Sequence, residues 1–244
     1  MGRKHKTSPG ALLEELQSQE NNNSHHETEE IDVETRSPDL SNDGNTTLSL
    51  NAMQNTQEEN DALLVKIIDT NTEEITTKKM KANEVWHMAK NLKVMVELNA
   101  DGHGNDNGTN LLVRFLGKLA RNPNLCPIHL ERWSLVPKAK KVQLWKLIED
   151  NFLFDYVAGC SWVMTTLGER LREHKYHLRC NYFYHFNSME ELLATPSPNV
   201  DISDWSIFVR HYHTEKMKNI SSQNTSNRKK LKVSHAGGSK SNAR

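Results

Sequence analysis

The chain has three cysteines, Cys126, Cys160 and Cys180, and no CxxC pair. An odd, scattered set of thiols is read more easily as belonging to a reducing compartment than as a disulfide framework. No apolar run approaches the ~18–20 residues needed to cross a bilayer, and the opening MGRKHKTSPG has no apolar core for a secretory signal; no membrane partner is expected. Aromatic residues are absent from Met1 to Asn60, a stretch rich in Glu, Asn, Ser, Thr and Gln. Such a composition buries too little surface to offset chain entropy, so 1–60 is expected to be a disordered arm. No glycine-rich loop ends in GKS or GKT, which removes the phosphate-cradling loop of nucleotide hydrolases.

The net charge is zero, but it is unevenly spread. Residues 1–60 carry 4 Lys/Arg against 12 Asp/Glu, residues 61–108 carry 6 against 8, and residues 109–244 carry 21 against 11. An acidic arm followed by a basic domain points to a polyanionic partner.

Residues 61–108 read as a lead-in of short elements. ALLVKIID (Ala62 to Asp69) is either a strand or the end of a helix. Asn83 is placed to cap a short helix carrying Trp86, and the alternation in LKVMVEL (Leu92 to Leu98) predicts a strand. In DGHGNDNG (Asp101 to Gly108), Leu112 stands where a calcium loop needs its bidentate Glu, so a linker is expected.

Helical periodicity governs the rest. Thr109 or Asn110 caps a helix whose Leu112, Phe115, Leu116 and Leu119 share a face, and Asn122-Pro123 ends it. Pro137 opens a second helix with Val142, Trp145, Ile148 and Phe152 on one face. A third is expected from about Ser161 to Phe183, with Met164, Leu167, Leu171, Leu178 and Tyr182 recurring at helical spacing. Ser188 and Glu191 form a capping box before Pro196. An amphipathic helix follows, with Trp205, Phe208, Val209 and Tyr212 inward; its pattern fades after Met217. Trp133, Trp145, Phe152, Trp162, Leu167, Leu171 and Trp205 are the expected core anchors.

The fold class predicted is therefore mainly α: a small helical domain over 109–218, Myb- or trihelix-like by analogy, with one or two short strands before it and disordered tails, the last a basic tail over 219–244. Lys138, Lys140 and Lys141 on the second helix and Arg170, Arg172, Lys175 and Arg179 on the third are the expected DNA contacts, since Arg and Lys near a phosphate backbone displace condensed counterions. Arg228, Lys229, Lys230 and Lys232 form a compact basic run, read as a nuclear-import signal or a DNA-clinging tail.

Several segments carry a resemblance. FLGKLAR (Phe115 to Arg121), the Trp133 to Trp145 stretch with LWKLIEDNF, WVMTTLGERLREHKYHL (Trp162 to Leu178), DWSIFV (Asp204 to Val209) and NRKKLKVSHAGGSKS (Asn227 to Ser241) together resemble the plant Ptta/En/Spm transposase-like family, associated with CACTA-type DNA transposons. The resemblance implies a nuclear, transposon-derived protein with a helical DNA-binding domain. Relatives usually carry a second Trp where this chain has Leu171, which keeps the position apolar with a smaller anchor.

A cut-and-paste transposase needs three carboxylates holding two metals. Asp150, Asp155, Glu169, Glu173 and Asp201 are each explained as helix ends or exposed partners, so no catalytic residue is assigned. Cys126 with His129, Cys180 with His185, and His211 with His213 lack a zinc-ligand spacing. The expectation is a non-catalytic DNA-binding protein with no metal, cofactor or small-molecule substrate. The alternatives are a helical module for homo-oligomerisation or for another transposon protein, its seam being Met164, Leu167, Leu171, Leu178 and Tyr182, and a transposase enzyme.

Overall fold

Ile67 pairs with Thr76 on one side and with Val94 on the other, and Val94 pairs in turn with Phe152. That row crosses a four-stranded sheet in a computed structural model that describes residues 61–99, 104–183, 185–186 and 188–230. The strands are β1 (Leu63–Asp69), β2 (Ile75–Met80), β3 (Leu92–Met95) and β4 (Phe152–Leu153), in the order β2-β1-β3-β4. β1 runs antiparallel to both neighbours, whereas β3 and β4 are parallel.

Alternation along β1 sends Val65 and Ile67 into the core and leaves Leu64 and Lys66 exposed, as expected of a sheet with one wet face. The tight end of the hairpin is held by the Asp69 carboxylate, which accepts from the Asn71 N–H at 2.8 Å and from the Asn91 amide at 2.8 Å. Glu73 turns the corner at φ 59°.

The inner face is covered by α1 (Asn107–Ala120). Its Leu111, Leu112, Phe115, Leu116 and Leu119 are fully buried. Asp106, not Thr109 or Asn110, is the cap; its carboxylate accepts from the Thr109 N–H at 2.8 Å and the Thr109 hydroxyl at 2.5 Å.

α2 (Lys138–Asn151) leads straight into β4. Trp145, Ile148 and Phe152 of the sequence-predicted face are fully buried; Val142 is half-buried. α3 (Tyr156–Leu178) starts five residues before the expected Ser161, where Asp155 accepts from the Val157 and Ala158 N–H groups. Its 23 residues span about 35 Å, and a π-helical turn over Arg179–Phe183 continues it.

α3 joins two apolar clusters. Val163, Met164, Leu167 and Leu171 belong to the cluster built on the sheet, while Leu178 belongs to a smaller one with Ile128, Leu192, Trp205, Phe208 and Val209. The smaller cluster is closed by α4 (Met189–Ala194), capped by Ser188, and α5 (Ile202–Tyr212), capped by Asp201. The Trp205 indole N–H ties these two helices by donating to the Leu192 carbonyl at 2.9 Å. α6 (Glu215–Lys229) follows one turn later, so the chain is helical well beyond Met217.

The fold is thus mixed α/β, and the mainly helical, Myb- or trihelix-like expectation is corrected. The sheet is one layer of the main core, to which it contributes Val65, Ile67, Met80, Val94 and Phe152, rather than a prelude to a bundle. It is missed for physical reasons: five of the six β2 residues are exposed, so β2 has no apolar alternation, and β4 is two residues long. The expected arm over 1–60 and the basic position Lys232 lie outside the described residues.

Candidate nucleic-acid interface

The expected DNA contacts do not form one surface. Lys175 is 2% exposed, and its ammonium donates to the Leu130 carbonyl at 2.5 Å and the Glu131 carbonyl at 3.0 Å. Lys141 is 4% exposed, with its Nζ 5.3 Å from the centroid of the Trp133 ring. Arg170 donates to Glu173 at 2.6 Å. The Arg179 guanidinium lies over Tyr212, 4.4 Å from the ring centroid. Lys140 donates to the Asn124 carbonyl. Lys138 and Arg172 are exposed. Five of the seven are therefore engaged by carbonyls, rings or a carboxylate of the same chain, because a long cationic stem reaches such groups as readily as solvent.

The electrostatics of α3 agree. The His177 imidazole, 3.9 Å away, and the Arg170 guanidinium hold the Glu173 carboxyl down to about 2. Burial, with Arg121, His177 and Lys175 nearby, pulls His174 down to about 4, so it is neutral at physiological pH. The apolar seam offered for dimerisation is filled from within: Met164, Leu167, Leu171 and Leu178 are 7%, 0%, 2% and 5% exposed.

The anchors divide by depth. Trp145 and Trp205 are fully buried, as are Phe152, Leu167 and Leu171, whereas Trp133 and Trp162 are half-buried. Trp133 packs on Gly168, where an added Cβ would stand 3.0 Å from the ring.

Other cations lie at the two ends of α6. From Glu215 to Lys230 there are five Lys/Arg against one acid, and Lys216, Lys218, Lys229 and Lys230 are exposed. α6 has no broad apolar stripe, so its groove-facing side stands off from the body. A cleft of about 610 Å³ results. Arg179, Phe183 and Tyr212 form its floor, and Ser221, Ser222, Thr225 and Ser226 form the helix wall, with Lys218 and Lys229 on its rim. Glu215 pairs with Lys218 at 2.9 Å. Arg179 and Phe183, four residues apart in the π-helical turn that continues α3, both line the cleft.

Sequence periodicity gave no hint of this cleft, since an apolar stripe is the usual sign of an interior helix face. The signal that exists is the hydroxyl spacing of α6 at i, i+1, i+4 and i+5. Of the basic run, Lys229 closes α6 and Lys230 follows it in a turn, so these two project from a helix end. Arg228 falls in the same last turn of the helix.

A second cleft, about 660 Å³, lies between the 122–129 loop and the start of α5 and mixes His129, Lys140, Asp201 and Asp204. His129 Nδ1 and the Asp204 carboxylate are 2.5 Å apart there. Among the described residues no three His, Cys, Asp or Glu side chains are placed to hold a metal ion, and no helix is long and apolar enough to cross a membrane. Comparison with protein-family models, with curated proteins and with solved structures found no match to the chain.

Proposed function

We propose that this chain binds DNA, without cutting it, through phosphate contacts made by α6 and the turn that follows it. One observation carries the reading: Lys216, Lys218 and Lys229 of α6 and Lys230 in the turn after it are exposed, with a single acid at the start of the helix. Exposed cations at the ends of a solvated helix release condensed counterions when they meet a phosphate backbone. In this proposal α3 supplies the frame instead of the contact surface, with Arg172 as its one exposed candidate among the four basic residues singled out on it. A nuclear protein of transposon origin that holds DNA fits such a surface, and Arg228, Lys229, Lys230 and Lys232 serve equally well as a nuclear-import signal.

A mobility shift of the full chain on duplex DNA, titrated with salt, tests the reading, with transposon-end repeats compared against random duplex. Four phosphate contacts give a slope of about −3.6 in log affinity against log salt. Replacing Lys216, Lys218, Lys229 and Lys230 with Gln should remove most of that slope. Salt-independent binding, or an unchanged slope in the variant, refutes the assignment.

A further inference from the structure

The cleft beneath α6 has more chemistry than phosphate contact requires. A duplex-binding cationic helix needs neither an aromatic floor nor a hollow behind it, because the duplex hides the faces of its bases. Here the hollow measures about 610 Å³, within the ~300–1,000 Å³ typical of ligand sites. Its floor is a planar guanidinium held over a ring: Arg179 lies 4.4 Å from the Tyr212 centroid, and Phe183 sits 6.1 Å from Tyr212 at 83°. Bases stack on aromatic rings and on Arg planes, and only unpaired bases can do so.

The opposite wall suits a phosphate. Ser222 and Ser226 are exposed one helical turn apart on the cleft side of α6, with Lys229 beyond them. Thr225 directs its proton to the Ser221 carbonyl at 3.0 Å, so Ser222 and Ser226 are the wall's available donors. Aromatic floor and hydroxyl-cation wall face each other across one cleft, as the base and the phosphate of a single nucleotide unit require.

We propose that this cleft takes an unpaired nucleotide of single-stranded nucleic acid, its base against Arg179 and Phe183 and its phosphate on Ser222, Ser226 and Lys229. This deepens the DNA-binding proposal and rests on it. The ribose or deoxyribose of the strand is not distinguished by these groups, so single-stranded DNA and RNA share the recognised chemistry.

The test uses the full chain and fluorescence anisotropy with labelled oligo-dT, oligo-U and a duplex of equal length, at fixed salt. At least tenfold tighter binding of a single strand over duplex is expected, and the tighter of oligo-dT and oligo-U identifies the source. The Ser222→Ala, Ser226→Ala double variant removes the hydroxyl donors of the cleft wall at exposed positions and leaves the charge of α6 unaltered. It should erase the preference by weakening the single strand at least tenfold while changing duplex affinity much less. Arg179→Lys, which keeps the charge and loses the plane, should also reduce the preference. Equal binding of single strand and duplex, or unchanged single-strand affinity in the double serine variant, overturns the cleft assignment and leaves duplex phosphate binding intact. Binding of neither form overturns both proposals.

Discussion

Lys175 on α3 and Leu130 in the preceding crossover are joined by a 2.5 Å hydrogen bond from the lysine ammonium to the leucine carbonyl. The same ammonium reaches the Glu131 carbonyl at 3.0 Å. The link lies between the two apolar clusters, since Val163 to Leu171 belong to one and Leu178 to the other. A cation that sequence spacing assigns to a DNA-facing stripe is thus an internal strut. It satisfies two crossover carbonyls that no helix or sheet supplies with donors.

Lys175→Met keeps the length of the side chain and removes the donors. Leaving these part-buried carbonyls without their donor should cost about 1–3 kcal/mol, read as a lower urea midpoint. The salt dependence of nucleic-acid binding should be unchanged. A phosphate-contacting lysine would behave in the opposite way, with the stability kept and the slope reduced by about 0.9.

Stability should fall as pH drops from 6.5 toward 4, and His174 is the reason. Burial holds its folded value at about 4 against an ordinary 6.5, so in that window the unfolded chain binds the additional proton. Protonation therefore favours unfolding, by up to about 3 kcal/mol across the window. Glu173 acts lower: its carboxyl is held at about 2 by His177 and Arg170 against an ordinary 4.5. Its contribution is present above 4.5 and is lost as pH falls toward 2. Urea midpoints measured from pH 7 to pH 4 should flatten in His174→Gln, and an undiminished slope would remove His174 as the cause.

The thiols should separate by depth. Burial pushes Cys126 and Cys160 up to about 12, and both are 1% exposed. Since the thiolate is the reactive form, neither should react with an aromatic disulfide reagent in the native chain. Cys180 is half-buried and its thiol is also raised, chiefly by burial, so it should react slowly. Stopped native labelling followed by mass mapping checks the order; fast modification of Cys126 or Cys160 would contradict the packing.

What was legible in the sequence was what a helix must hide. Leu112, Phe115, Leu116 and Leu119, and Trp205, Phe208 and Val209, are buried where periodicity places them. So is the capping role of Ser188, whose side chain accepts from the Glu191 N–H at 3.2 Å. The sheet was largely illegible because it borrows its burial from elsewhere. β2 buries only Met80, and β4 is defined by its pairing with β3 across more than fifty residues. The early start of α3 was hidden by Gly159, which reads as a helix breaker but is buried against Leu98 and Phe154. Charge was the least legible property. Lys141, Lys175 and Arg179 look in sequence like Lys216 and Lys229, and only the tertiary surroundings separate struts from surface cations.

Gly108→Ala sets helix propensity against packing. Gly108 is the second residue of α1, where propensity alone would favour alanine by up to about 1 kcal/mol. A Cβ at this position would stand 2.1 Å from the Met95 carbonyl oxygen, a backbone atom of β3. Neither partner can turn aside: the helix start is fixed by Asp106 holding the Thr109 N–H, and β3 is fixed by pairing on both edges. Relief requires α1 to lift from the sheet, which loosens Leu111 and Leu112 in the main core. Overpacking of this kind costs about 1–3 kcal/mol, so the substitution should lower the thermal and urea midpoints despite the better helix former. An increase in stability would mean that α1 does not approach β3 this closely, and the sheet-and-helix core would have to be redrawn.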